Sequence, residues 1–251
     1  MNIREMQRQF GIQLNQLGEA LELHSDDIEY WLNKGQLQLV KQMYNGMNPE
    51  GKAFEQSQQR IDDLRTLLVK DEEVDTTFID DEPLHGFFID RAEIPEDSLF
   101  VISHRSKVSY NFPSINYNID SETNKRIADD LESSTRVVFN RTSQSDDIYK
   151  LLSDPFNKTK PNKPIVDINE DFINVYTDNT FVVDSVIFNY LKKPRKMNIK
   201  EGVSSELPDH LHDDIIQRAA DLFLQNTRQL KQRLQQETPR SNQEQNIENN
   251  E

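Results

Sequence analysis

The chain has 251 residues, of which 35% are hydrophobic, and it carries 29 basic against 44 acidic side chains, for a net charge of −15. A surface this acidic repels nucleic acid, which argues against a protein that reads DNA sequence. The lack of cysteine excludes disulfides, thiol catalysis and cysteine-type zinc sites. The sequence has neither an apolar signal core nor the ~18-residue apolar run of a membrane span, so we expect a soluble, intracellular protein.

Three amphipathic helices are predicted in the first 70 residues. The first covers residues 3–21 and contains two glycines, so it needs tertiary support. The second covers residues 26–44 and carries the only tryptophan, Trp31. Its apolar residues recur at steps of three and four, which places them on one face. The third helix is expected at residues 52–70.

A glycine, Gly35, lies within the apolar stripe of the second helix. Glycine inside a helix costs about 1 kcal/mol relative to alanine. It is tolerated best where another backbone must approach closely. We therefore expect tight packing of this helix against a neighbour, with Tyr30 and Trp31 as core or subunit-contact residues.

From residue 71 onward the apolar residues come in short bursts between acidic or Pro/Gly turns, and this pattern predicts strands. The clearest pair is a hairpin, with strands at residues 173–176 and 181–191 and a turn at residues 177–180. One face of the longer strand carries Val182, Val186, Phe188 and Tyr190, but Asp184 falls there too and blurs the alternation.

Two polar segments of this region are predicted to lack strands. Residues 120–134 are expected to form a loop or a short helix. The run NKTKPNKP at residues 157–164 is expected to be an extended linker, because each proline disfavours helix at the residue before it.

A closing helix is predicted after Leu207-Pro208, and a polar tail that is disordered or ordered by partners follows it. Helices and strands are segregated along the chain, which predicts an α+β fold: an α-helical bundle base, made of the N-terminal helices and the C-terminal helix, with an inserted antiparallel β-rich segment. The expected boundaries are residues 1–70 for the N-terminal helices of the body, 71–200 for the β-rich insertion, 201–230 for the closing helix and 231–251 for the polar tail.

No catalytic or cofactor-binding constellation stands out, so we expect a protein that is not an enzyme and that has no cofactor or metal site. His210 and His212 are two residues apart on a predicted helix and therefore point in different directions, which makes them a poor metal pair. The acidic groups at residues 71–73 and 80–82 lack the glycine and the alternation of a calcium loop. Solvated turn ends are the favoured interpretation of both groups, with a divalent-cation site as the other.

One compact basic run, KKPRK at residues 192–196, interrupts the acidic sequence. It would contact DNA phosphates or an acidic partner, or else form a solvated strand end whose lysines prevent further strand pairing. Five residues carry little specificity, and both interpretations stay open.

Six segments occur in an order that resembles one family. They are DIEYWLNKGQLQLVKQMY (27–44), DDLRTLL (62–68), IPEDSLFVISHRSKV (94–108), SDPFNKTKPNKP (153–164), NYLKKP (189–194) and ELPDHLHDDIIQRAADLFL (206–224). Together, over about residues 25–225, they resemble the ring, or head-to-tail adaptor, proteins of crAss-like phages. The final helix is also similar to the closing helix of tail tubular adaptors of short-tailed phages.

The resemblance implies a structural virion protein that forms a ring of about twelve copies between the portal and the tail, where it extends the DNA ejection channel and anchors tail components. The implied partners are other copies of itself, the portal, adjacent tail ring or tail-fibre proteins, and double-stranded DNA that passes through the lumen without specific binding. Assembly is expected in the bacterial host cytoplasm, without a membrane.

We expect subunit contacts to use the apolar stripes and the basic run. The interface residues predicted on this basis are Tyr30, Trp31, Leu32, Gly35, Lys192, Lys193, Arg195, Lys196, Leu211, Ile215 and Phe223. The alternative is a monomeric adaptor or regulatory binding module that uses residues 192–196 and the Gln-rich tail. A metal-dependent enzyme that uses the acidic groups is a third hypothesis.

Overall fold

The computed structural model describes residues 1–16, 23–45, 61–79, 86–110, 117–128 and 134–248. They fall into two compact units. The helical unit comprises Met1–Leu67 and Pro194–Glu251, and the β unit comprises Leu68–Lys193.

The helices are α1 (Ile3–Gln16), α2 (Ser25–Tyr44), α3 (Ser145–Ser153) and α4 (His212–Glu248), and residues 61–64 are also helical. In the helical unit α2 packs along α4, and α1 contacts both. The apolar stripe of α1 is buried there because its members recur at helical spacing: Ile3, Met6, Phe10 and Leu14.

The third predicted helix differs at its end. Much of the predicted range, residues 52–60, lies outside the described residues, and a 3₁₀ turn at Arg65–Leu67 follows the helical residues 61–64. From Leu68 the chain is a strand, so the predicted helical end at residue 70 is wrong. Adjacent leucines fit a helix and a strand equally well, and periodicity could not separate the two.

The strands are β1 (Leu68–Asp75), β2 (Thr77–Ile79), β3 (Phe87–Glu93), β4 (Ser98–Tyr110), β5 (Tyr117–Asp120), β6 (Lys125–Ala128), β7 (Ser134–Phe139), β8 (Arg141–Thr142), β9 (Ile165–Ile168), β10 (Phe172–Asp178) and β11 (Phe181–Lys192). Sheet A has the order β1-β11-β4-β7, and sheet B has the order β2-β3-β10-β9-β8. Strands β5 and β6 form a separate pair. Strands β8 and β9 pair in parallel, whereas the other strand pairs are antiparallel.

Sheets A and B share one apolar core. Its buried residues come from β4, β7 and β11 of sheet A and from β3, β9 and β10 of sheet B. The two sheets therefore pack face to face, and the β unit buries its strands against each other.

The predicted hairpin is wrong. Strand β10 pairs with β3 and β9 in sheet B, whereas β11 pairs with β4 and β1 in sheet A. Asn179 and Thr180 therefore carry the chain from one sheet to the other. Both strands are almost continuously buried, and such apolar runs suit packing between two sheets as well as pairing within one.

A bulge in β11 explains why Asp184 blurred the alternation. The pairing with β4 shifts between Val183 and Ser185, so Asp184 is an extra residue. Before the bulge Val183 points into the shared core, and after it Val186 does. The inward positions thus change from odd to even numbers, which a fixed period of two cannot reproduce.

The predicted architecture of a helical-bundle base with an inserted antiparallel β segment is also wrong. The described structure is α+β, but strands dominate the middle of the chain, and the β unit has an extensive core of its own. The parallel pair β8–β9 departs from the antiparallel expectation. The segment 120–134, predicted to be a loop or short helix, contains the end of β5 and all of β6.

Candidate functional site

The contact between α2 and α4 centres on Gly35. A Cβ atom built on this glycine would lie 2.9 Å from the Ala219 amide nitrogen and 2.9 Å from the Ile215 carbonyl oxygen. Both are backbone atoms of α4, and real Cβ atoms essentially never come this close to other atoms. The expectation that another backbone approaches Gly35 is confirmed.

Aromatic rings extend this contact. Trp31 meets Phe223 edge to face, with ring centroids 5.6 Å apart, and it meets Tyr30 at 5.2 Å. The ammonium group of Lys34 lies 4.8 Å from the Trp31 ring centroid, within cation–π range. The α2–α4 contact is therefore a tightly packed seam inside one chain.

Six of the predicted interface residues are buried within the chain: Trp31, Leu32, Gly35, Leu211, Ile215 and Phe223. All but Leu211, which ends the 3₁₀ turn before α4, lie on the two helices of the seam. Tyr30 differs, since 58% of it is exposed. Buried side chains shape the seam, and only Tyr30 of this group offers a large apolar surface to a partner. Their role in subunit contacts stays a prediction.

The basic run is divided between the two units. Lys192 ends β11 and Lys193 ends the β unit, whereas Arg195 and Lys196 belong to the helical unit. Lys193 donates to the Glu96 carbonyl oxygen at 2.7 Å. The side chains of Arg195 and Lys196 are exposed.

A stripe of polar residues on α2 holds the chain that follows the basic run. Glu29, Asn33 and Gln36 are spaced by four and three residues and so share a helix face. The Asn33 side chain donates to the Met197 carbonyl at 3.0 Å and accepts the Met197 amide at 2.7 Å. Gln36 donates to the Arg195 carbonyl at 3.0 Å, and Glu29 accepts the Ile199 amide at 3.0 Å. Sequence reasoning missed this stripe, although its helical spacing is visible.

A buried ion pair lies in the β unit. Arg126 on β6 donates from Nε to Asp90 Oδ1 at 2.9 Å and from Nη2 to Asp90 Oδ2, and both side chains are buried. The Arg126 guanidinium also donates to the Thr177 hydroxyl. It lies near the rings of Phe78 and Phe88, at 5.1 and 4.9 Å from their centroids. A single arginine in a polar segment carries no pattern, so sequence reasoning missed this pair.

The two histidines considered as a metal pair, His210 and His212, contact different partners. His210 Nε2 lies 2.8 Å from Asp63 Oδ1, whereas His212 Nε2 lies 3.1 Å from the Leu207 carbonyl. Within the described ranges, no group of three or more His, Cys, Asp or Glu side chains is placed to hold a metal ion.

The first acidic group, residues 71–73, lies on strand β1 rather than at a turn. Glu73 accepts from Ser185 at 2.5 Å and from Lys107 at 3.2 Å, and these hydrogen bonds, the Ser185 bond foremost, lower the pKa of Glu73. Asp71 pairs with Arg105. The second group, residues 80–82, lies outside the described residues.

Because Asp184 at the β11 bulge titrates differently in the folded chain, we expect the stability of the fold to depend on pH. Burial raises the pKa of Asp184 above its ordinary value, and the hydrogen bond from Ser109, at 2.6 Å, opposes that rise. The fold thus favours the protonated form. The stabilisation is complete below the ordinary pKa and is lost as the pH rises through the folded pKa.

Replacing Asp184 with asparagine should therefore raise the thermal unfolding midpoint at pH 7, and the gain should shrink as the pH falls through the raised pKa of folded Asp184 towards the ordinary value of 3.8. Thermal unfolding monitored by circular dichroism at several pH values checks this. Asp154→Asn serves as the control of opposite sign, because hydrogen bonds, first that of Asn157, lower the pKa of Asp154. An Asp184→Asn protein that is less stable than the parent at pH 7 would refute the argument.

Comparison with known proteins identifies one family. The profile of the CrAss ring 3/4 family, described as phage tail ring protein 3/4, matches residues 1–234. A search of curated proteins returns no match.

Among the described helices, none combines the length and apolar character needed to cross a membrane.

Proposed function

We propose that copies of this chain, which belongs to the phage tail ring protein 3/4 family, form a closed ring between the portal and the tail. A phage tail ring protein is a structural component of the virion. The finer proposal is that the ring extends the DNA ejection channel and anchors the tail components that follow it.

The family match carries this proposal, because it spans residues 1–234 and so includes sequence from both units. The charge of the chain is consistent with it. Each copy carries a net charge of −15, so a ring of many copies is strongly anionic. An anionic channel wall repels DNA phosphates and lets the duplex pass without binding.

Assembly with the portal is the direct test. The purified chain, mixed with portal protein, should give symmetric rings by negative-stain microscopy, about twelve copies in each ring. Native mass spectrometry should show multiples of the 29.4 kDa subunit. A chain that stays monomeric with the portal in excess would contradict the proposed ring.

The monomeric adaptor or regulatory module remains the alternative, and one variant separates the two functions. Deleting residues 228–251 and replacing the four cations of the basic run with alanine should abolish partner binding by such a module. Rings should still form if the chain is a ring subunit.

A further inference from the structure

The segment SDPFNKTKPNKP, residues 153–164, forms an ordered loop, here called the Phe156 loop. The extended linker predicted for residues 157–164 is therefore wrong. The Asp154 carboxylate accepts the Phe156 amide at 2.9 Å and the Asn157 side-chain amide at 2.6 Å. Thr159 is buried, donates to the Tyr176 carbonyl at 2.5 Å and accepts the Ile165 amide at 3.2 Å. The Asp154 bonds order the start of the loop, and the two Thr159 bonds fix its middle to sheet B.

The Phe156 loop presents an aromatic ring to solvent. Phe156 is 85% exposed, the highest value for a large apolar side chain in the described part of the chain. Three lysines follow it, Lys158, Lys160 and Lys163, and no acidic residue occurs from residue 157 to 166. Lys160 donates to the Phe156 carbonyl at 2.9 Å, which adds to the order of the loop. An exposed aromatic side chain on an ordered loop has only two side-chain torsions to fix on binding, so it suits an interface anchor.

A cleft of about 620 Å³ lies elsewhere in the same unit, between the β3–β4 turn and the β9–β10 turn. This volume lies within the range of about 300–1,000 Å³ found for ligand pockets, so the cleft has room for a phenyl ring and adjoining backbone. Its apolar lining comes mainly from Ile94, Pro95, Leu99, Phe100, Ile168 and Phe172.

Four exposed carboxylates surround this acidic cleft: Glu93, Glu96, Glu170 and Asp171. Two cations also line it, but both have internal partners. Arg91 donates to Asn174 at 2.9 Å and stacks 3.9 Å from the Phe172 ring centroid, and Lys193 donates to a backbone carbonyl. The cleft thus combines an apolar lining with four carboxylates against two cations, an excess of negative charge.

The Phe156 loop and the acidic cleft lie at opposite ends of sheet B. The loop is bonded to Ile165 and Tyr176, which are partners in the β9–β10 register. The cleft lies at the other end of the same two strands, at Ile168 and Phe172. Four residues of strand separate Tyr176 from Phe172, about 13 Å at ~3.3 Å per residue. The loop is therefore held away from the cleft of its own chain.

We propose that the Phe156 loop of one copy docks into the acidic cleft of a second copy, with the phenyl ring against the apolar lining and with Lys160 and Lys163 against the carboxylates, since Lys158 pairs with Asp178 of its own chain. Different surfaces meet in this contact, so each copy keeps a free loop and a free cleft, and successive copies close a ring when the rotation allows it. The inference rests on the proposed ring function for the identity of the partner.

Cysteine cross-linking tests the contact directly, because the chain has no cysteine of its own. Full-length Asn162→Cys and Glu170→Cys proteins, mixed with a short bismaleimide, should give a covalent dimer, and the double variant should give a ladder of oligomers. Asn162 is an exposed residue of the Phe156 loop, and the control pairs Asn162→Cys with Glu122→Cys, an exposed position on the β5–β6 turn. Equal cross-linking in the control and test pairs, or none in the test pair, overturns the proposal.

A mixing experiment tests the two-surface geometry. Phe156→Ala removes the anchor and should weaken self-association at least ~10-fold, whereas Phe139→Ala, at a second phenylalanine with 71% exposure, should leave it unchanged. Glu93→Lys combined with Glu170→Lys disables the cleft. Each disabled protein alone should be monomeric by native mass spectrometry, and a mixture of the two should stop at dimers.

The outcomes separate this contact from the ring function. If the loop and cleft variants assemble with the portal as the parent chain does, the ring function stands and the proposed contact is wrong. If the parent chain forms no ring with the portal, the proposed function fails. A parent chain that shows no self-association at concentrations up to hundreds of micromolar overturns the contact.

Discussion

Replacing Arg126 with methionine is expected to lower the free energy of unfolding of the β unit by about 3–5 kcal/mol. The substitution keeps an unbranched, apolar side chain but leaves the Asp90 carboxylate buried without its guanidinium partner. Thr177 and the Val183 amide, the latter at 3.3 Å, still offer hydrogen bonds to this carboxylate, but neither carries a positive charge. Removing one member of a buried pair therefore costs far more than the net contribution of the pair.

Urea unfolding of the full-length chain, monitored by circular dichroism, measures the change. Arg136→Met is the matched control, because Arg136 is exposed on β7 and loses only a cation–π contact with Tyr110, at 4.7 Å, which should cost at most about 1 kcal/mol. The double variant Asp90→Leu/Arg126→Met should be more stable than Arg126→Met alone, since it leaves no unpaired charge. Equal unfolding midpoints for Arg126→Met and Arg136→Met would contradict the buried-pair explanation.

Replacing Gly35 with alanine is expected to destabilise the helical unit by about 1–3 kcal/mol. Helix propensity alone predicts the opposite sign, a gain of about 1 kcal/mol. The packing cost should prevail because the new methyl group would meet two backbone atoms of α4 at 2.9 Å. Backbone atoms cannot move aside as a flexible side chain can, so α2 and α4 would have to separate.

Gly11→Ala is the matched control for this prediction. Gly11 lies on α1, and a Cβ atom added there meets nothing within 4 Å. This substitution should stabilise the chain by about 0.5–1 kcal/mol, from helix propensity and a less flexible unfolded state. Thermal unfolding of both variants should therefore show shifts of opposite sign, and a stabilised Gly35→Ala protein would disprove the close helix contact.

The helix α2 shows which part of the structure could be predicted locally. Its bounds follow from a stripe of apolar residues at helical spacing, and Gly35 within that stripe indicated a close backbone neighbour. That neighbour, α4, lies about 180 residues further along the sequence, and nothing in α2 alone specifies which segment packs against it. Six of the residues predicted to form a subunit interface are buried in the single chain, and their role in subunit contacts stays a prediction, because an apolar helix face suits an internal contact and an external one equally.

The order of the Phe156 loop could have been predicted in part from its sequence. Its prolines led to the prediction of a linker, but Asp154 followed three residues later by Asn157 suits an Asx-type turn, in which a side chain accepts nearby N–H groups. The buried position of Thr159 had no comparable signal. Its hydroxyl bonds to Tyr176, a residue of a different strand, and such a contact exists only once the sheet has formed.

Composition, charge and periodicity by themselves determined the acidic character, the positions of α1 and α2, and the change from helices to strands near residue 70. These properties depend on neighbouring residues, whose spacing selects a helix or a strand. The tertiary structure alone decided that β10 and β11 belong to different sheets, that Asp184 forms a bulge, and that Arg126 pairs with Asp90 in the interior. Strand pairing and buried ion pairs join residues distant in sequence, and many pairings satisfy the same alternating pattern until packing of the two sheets selects one of them.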